Sequence, residues 1–294
     1  MTGFVFVAVM PWILSVGLWW SAPHLARLLT PASTVIAIPV AAVVSALAVA
    51  ASAAAVGAVL TAQEATWLRV IGWTLVAVLA WRVVQAGRHL GRVGAGVRAA
   101  ATFTSRRSSS DVVVIEDDRP DAFASPTDGG VVLVTTGLVA ALDESHVAAV
   151  VAHERAHLKF RHHVWIQAAE VASEIAPFTR RLTGTVRHAA ERQADEFAAR
   201  TDRDIVLQAI ARVALLHTEH GKHLRTRRPA GSGGDIVERV RALAEPKPPP
   251  QKRSVVVLVV AVVLVLGAAI VGLADVVQDV VAPEIGEAPT SVFR

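Results

Sequence analysis

Apolar residues crowd into four long runs, and between the third and the fourth the pattern breaks into short alternations and helical spacing. The runs are about Phe4–Trp20, Thr34–Leu60, Trp67–Val84 and Val255–Ala274. Each has roughly 17 or more residues, enough to cross a hydrocarbon core as a helix. Pro11 and Pro39 lie inside the first two, a placement that membrane helices tolerate better than soluble ones. The fourth run is almost entirely Val, Leu, Ala and Ile and has no polar face, which argues against a buried core helix. The first lacks a basic start and a small-residue cleavage site and ends in Trp19 and Trp20. It therefore reads as a retained helix with an interfacial anchor rather than a signal peptide.

The intervening block, residues 85–253, has the size of one domain. Ser105–Ser110 reads as a polar hinge. Strands are predicted at Asp111–Ile115 and Val131–Thr135, the second after the turn Thr127–Gly130, with a short edge strand at Ala122–Ala124 between them. Asp143 and Ser145 form a helix start signal, and apolar positions recur at helical spacing through Leu158. Further helices are predicted at about Val164–Ala176, Gly184–Arg200, Arg203–Glu219 and Asp235–Ala244. Ala230–Gly234 reads as a loop, and Pro246–Pro250 stiffens the approach to the last run. The fold class expected is an α-helical membrane protein with four transmembrane helices and an inserted α+β domain. Its parts are residues 1–84 (three spans), 85–253 (the domain), 254–277 (the fourth span) and 278–294 (a short tail).

Composition narrows the chemistry. The chain is 53% apolar, with a mean hydropathy of +0.48. It contains no cysteine, so disulfides and thiolate-held zinc are excluded and any metal must use His and carboxylate ligands. A net charge of +4 is compatible with nucleic acid, yet the basic residues sit beside the apolar runs, where they set topology. Arg82, Arg88, Arg92, Arg98, Arg106 and Arg107 follow the third run, and Lys247, Lys252 and Arg253 precede the fourth. Beyond it come Asp275, Asp279, Glu284 and Glu287. The positive-inside rule places the block in the cytoplasm and both termini outside the plasma membrane. No direct nucleic acid binding is expected.

The central motif is His153-Glu154-Arg155-Ala156-His157. On a helix the two His residues share a face and can reach one ion, with Glu154 beside them to take a proton from water. Zinc suits such a site because it lowers the pKa of water toward about 7 and polarises a carbonyl. Two imidazoles leave zinc short of a protein ligand. Glu191-Arg-Gln-Ala-Asp195 is the best source: Glu191 as the third ligand, Asp195 one turn later to accept the second N–H of a ligand His. Alone, these two carboxylates would read as a solvated pair.

Val112–Ile115, Ala122–Ala124, Val131–Leu138, His153–His157 and Glu191–Asp195 together resemble the gluzincin membrane peptidases. The placement of the apolar runs is most similar to the BlaR/MecR-type antirepressor metallopeptidases, with the HtpX and CAAX-protease group as near relative. The resemblance implies that the inserted α+β domain is a zincin-like metallopeptidase domain, a cytoplasmic zinc protease between the third and fourth spans. It also implies a protein substrate, such as a winged-helix repressor of the BlaI type. His153, His157 and Glu191 would be ligands to one zinc ion, and Glu154 the general base. The penicillin-binding sensor domain of the antibiotic receptors has no counterpart after the fourth run, so beta-lactam sensing is not expected. An HtpX-like quality-control protease and a non-catalytic membrane scaffold are the alternatives.

Several residues carry lesser expectations. His188, one turn before Glu191, can point into the cleft. His162 and His163 read as surface or membrane-proximal polar residues. His217, His220 and His223 read as a solvated helix end with weak metal affinity at most. Arg239 or Arg241 can stabilise an oxyanion, or simply pair with Glu238 or lipid headgroups. Ala122, Phe123 and Ala124 can bind substrate by strand addition or form an ordinary core strand.

Overall fold

Each apolar run becomes a helix longer than the run itself. The computed structural model describes residues 2–104, 111–127, 129–221, 232–245 and 253–281. In chain order it has helices α1 (Thr2–Leu28), α2 (Pro31–Thr61) and α3 (Thr66–Thr104), then strands β1 (Val112–Ile115), β2 (Ala122–Ser125) and β3 (Val131–Thr135). Helices α4 (Thr136–Ala141), α5 (Glu144–Lys159), α6 (His162–Ile175), α7 (Arg180–Ala198), α8 (Arg203–Gly221), α9 (Ser232–Ala244) and α10 (Arg253–Val281) follow, with a 3₁₀ turn at Pro177–Thr179. Two compact units result: Met1–Arg92 with Trp165–Val186 and Gln251–Arg294, and Val93–Val164 with Arg187–Pro250.

In the first unit, four helices are long and apolar enough to cross a membrane: Phe4–Leu28, Pro31–Thr61, Thr66–Arg98 and Val256–Asp275. Small residues let them pack closely. A side chain at Gly72 would bring its Cβ within 2.7 Å of the Thr61 backbone nitrogen, so only glycine permits that approach of α3 to α2. Buried polar groups find partners across helices. Ser15 and Ser45 share a hydrogen bond, and Ser52 donates to the Ala8 carbonyl at 2.6 Å while accepting from the Trp12 indole at 3.0 Å. The third helix runs past the expected span end at Val84 and carries Arg88, Arg92 and Arg98.

Sequence pattern assigns Trp165–Val186 to the block between the spans. In the structure this segment clusters with the apolar helices. Ala169, Ala172, Ala176, Leu182 and Val186 share a buried core with Leu18, Ala22, Ile38 and Ala42. The reason is the strong apolar face of α6, which has α1 and α2 to bury against.

The second unit is built on a three-stranded sheet of order β1-β3-β2. β1 runs parallel to β3, pairing Val112 with Val132, and β2 runs antiparallel, pairing Ala122 with Val134. The central β3 is buried along its whole length. The β2–β3 turn needs Gly130, whose φ of 97° lies in the left-handed region that other residues avoid. Val132, Val134, Leu138, Leu142 and Val151 join the sheet to α5, and Ala149, Val206, Ala209 and Leu243 join α5 to α8 and α9. α5 starts after Asp143, as predicted, but the Asp143 side chain makes no cap bond. It accepts from Arg212 at 3.0 Å instead. α4 is a helix the pattern did not separate, and Ser232–Gly234, expected in a loop, already belongs to α9. The hinge at Ser105–Ser110, His223, the Pro246–Pro250 run and the tail after Val281 lie outside the described residues.

Candidate active site

Three donor atoms converge from two helices. On α5, His153 and His157 sit one turn apart with their Nε2 atoms 3.1 Å from each other. From α7, Glu191 brings Oε2 to 3.5 Å from His153 Nε2 and Oε1 to 3.6 Å from His157 Nε2. One donor atom from each of the three lies within 4.8 Å of the others. Two ligands held 2.0–2.1 Å from a tetrahedral ion stand roughly 3.3–3.4 Å apart. The observed separations straddle that value, so this group can hold a divalent metal ion.

Behind the donors stands a layer of buried polar groups. His153 Nδ1 lies 2.9 Å from Asp195 Oδ1. Asp195, 2% exposed, is clamped by Arg239 from α9 through bonds of 2.8 and 2.7 Å. Arg239 also reaches Glu191 Oε2 at 2.9 Å. On the other side, His157 Nδ1 is 2.9 Å from His162 Nδ1, and His162 Nε2 is 3.1 Å from Gln193 Oε1.

These neighbours set the charges. For Asp195, burial favours the neutral acid, but Arg239 and His153 outweigh it and lower the pKa. Glu191 is likewise lowered against burial, chiefly by His153 and Arg239. Burial works against a charged His153, yet Asp195 and Glu191 raise it to about 10. Burial and the His153 charge together push His157 down to about 3. Glu154 is raised by burial to about 7, against the pull of His153; Glu191 adds to the rise and a hydrogen bond from the Ala124 amide opposes it. A carboxyl poised near neutrality beside a metal-type donor group can both accept and release a proton.

A cavity of about 330 Å³ opens beside Glu154 and His153, walled by Leu138, Val150, Val206, Ile210, Val213 and Ala214 among others. Ala122 lines it as well. β2 is the edge of the sheet, as predicted, and Phe123 on it is 44% exposed. Asp121 and Thr135 bond across the pair, with the Thr135 amide donating to the Asp121 carbonyl at 3.0 Å. The antiparallel alternation then turns the backbone groups of Ala122 and Ala124 toward the open side.

Four expectations change. Arg239 pairs with Asp195 and Glu191 rather than with Glu238 or lipid headgroups, because α9 packs against the site; Arg241 is exposed. His162 is not a surface residue: it is 1% exposed, because Arg161, with φ of 52°, turns the chain back under α5. His217 is not at a solvated helix end but lines the cavity, 3.1 Å from the Pro120 carbonyl oxygen. His188 does not join the donor group; it lies 3.7 Å from Glu238. His163 is exposed, as expected.

Residues 85–217 match Peptidase family M48. The segment contains the three donors, Glu154 and Asp195, but ends before Arg239. Over 52 residues the chain is 46% identical to "Protease HtpX homolog" from Acidiphilium cryptum (strain JF-5). That stretch covers 17% of this chain and 18% of the relative. No solved structure matches.

Proposed function

We propose that the chain is a membrane-bound zinc endopeptidase acting on protein substrates. The observation that carries this reading is the convergence of His153, His157 and Glu191 beside Glu154, which lines the adjoining cavity. The M48 match over the same residues supports it.

In this reading His153, His157 and Glu191 hold zinc. Zinc supplies Lewis acidity, lowering the pKa of water and polarising the scissile carbonyl. Glu154 takes the proton of the attacking water and returns it to the leaving amine, a task suited to a carboxyl near pH 7. Asp195 orients His153, and Arg239 fixes both Asp195 and Glu191. The open side of β2 offers the backbone groups of Ala122 and the Ala124 carbonyl for an extended substrate, the Ala124 amide being engaged by Glu154, while the apolar wall of the cavity takes a large apolar side chain. Arg239 is already engaged with two carboxylates, so an oxyanion role is not assigned to it.

The basic residues flanking the third and fourth apolar helices support a cytoplasmic site, with both termini outside the plasma membrane. The substrate is then a cytosolic or membrane protein. Cleavage of a BlaI-like repressor is one reading, from the placement of the apolar runs. HtpX-like quality control is the second, favoured by the identity to a protein of that name. A scaffold with a vestigial site would not need every donor and Glu154 in place.

The test is hydrolysis of an unfolded protein such as casein by the full chain purified in detergent. Activity lost to a chelator and restored by zinc is expected. A folded, zinc-loaded chain that cleaves nothing would exclude the enzyme reading.

A further inference from the structure

His162 has a place in the site that neither the HExxH motif nor the Glu191–Asp195 pair announces. It is the first residue of α6, almost fully buried, and faces a candidate ligand on one side and an amide on the other. The two distances alone leave the tautomer open, and the amide decides it. Gln193 Oε1 is an acceptor, so His162 Nε2, 3.1 Å away, must donate. The neutral ring then has a bare Nδ1. That atom faces His157 Nδ1 at 2.9 Å, so His157 donates there and its own Nε2 is left with a lone pair. This is the atom that points at His153 and Glu191.

We infer that His162 and Gln193 form a proton-ordering relay that selects the Nδ1–H tautomer of His157 and so presents its Nε2 to the metal. The inference rests on the metallopeptidase reading above and deepens it. His162 is a positioning residue, since it acts through His157. The two imidazoles are thereby anchored by different means. His153 faces a carboxylate that is itself clamped by an arginine. His157 faces a neutral chain ending in an amide. One stretch of α7 provides for both: Glu191 is a donor, Gln193 ends the relay and Asp195 backs His153. Their spacing of two residues sends the side chains to different parts of the site, and the turn at Arg161 brings His162 within reach of His157.

The relay is tested on the full chain in detergent, with zinc alone as the probe. His162→Leu removes the acceptor and is expected to weaken zinc binding tenfold to a hundredfold, the usual range for losing such a partner. His162→Asn carries an oxygen near the position of Nδ1 and is expected to recover most of that loss. Gln193→Leu leaves His162 in place without its anchor and is expected to weaken binding by a few-fold. As a second readout, ¹⁵N NMR of the metal-free chain labelled at histidine should show His157 as the Nδ1–H tautomer in the wild type and a mixture in Gln193→Leu. This readout stands even if His162→Leu does not fold. Zinc affinity within twofold of wild type in a folded His162→Leu, or a wild-type His157 protonated at Nε2, would overturn the relay alone. A folded wild-type chain that binds no zinc would overturn the metallopeptidase reading, and the relay with it.

Discussion

The guanidinium of Arg239 grips the carboxylate of Asp195 through two parallel bonds, Nε to Oδ2 at 2.8 Å and Nη2 to Oδ1 at 2.7 Å. The same arginine reaches Glu191 at 2.9 Å. A short helix well downstream of the HExxH motif thus holds the two α7 carboxylates that face His153.

Removing this clamp should cost both stability and metal. Arg239→Ala removes two of the bonds to a buried carboxylate and leaves it His153 alone, so the loss should approach but not exceed the roughly 3–5 kcal/mol of an unpaired buried charge. Arg239→Lys should recover part of it at most, because an ammonium cannot reproduce the forked pair of bonds. Thermal unfolding of the metal-free chain measures the first effect and zinc titration the second. An Arg239→Ala variant as stable as wild type would show that the clamp is incidental.

Glu154→Gln separates chemistry from binding. The amide keeps the shape but cannot take a proton, so turnover should fall by roughly 10²–10⁴-fold. All three proposed donors remain, and the zinc content after dialysis should match wild type. Retained turnover would remove Glu154 from the mechanism.

Zinc binding should release a proton at neutral pH. In the metal-free site His153 is raised to about 10 and is charged at pH 7, whereas His157 is already neutral and Glu191 already ionised. The ion must displace one proton, from His153 Nε2. Between pH 6 and 8, below the His153 pKa, affinity should rise with pH by roughly tenfold per unit. Calorimetry in two buffers of different ionisation enthalpy reads the released proton. Identical heats in both would contradict this assignment of charge.

The cavity should select its guest by size. Ala214 is a small wall residue, and Ala214→Phe fills part of the roughly 330 Å³ beside Glu154. Cleavage next to large apolar side chains should drop at least tenfold, by loss of about 1.5–3 kcal/mol of burial, while small side chains are less affected. Zinc affinity should not change. Equal losses for every peptide would point to a collapsed site.

Much of this was legible in local sequence. His153, Glu154 and His157 are read from spacing alone, because a helix fixes which residues share a face. Glu191 and Asp195 come together on the same argument, and β3 starts and ends where its apolar residues do. The missed features depend on contacts that spacing does not encode. Nothing near Arg239 in sequence says that α9 returns to α7. His162 beside His163 looks like a polar pair until the left-handed residue Arg161 ends the helical register and sends one inward and the other to the surface. The apolar face of Trp165–Val186 was visible, but its partners, α1 and α2, lie far upstream.

The most direct measurement compares new protein N-termini in cells carrying the wild-type chain and cells carrying Glu154→Ala. Termini that appear with wild type alone are expected. One or a few in a repressor-like protein would indicate a regulatory protease, and many across membrane proteins a quality-control protease. No difference in N-termini under any inducing stress would contradict the proposed peptidase activity.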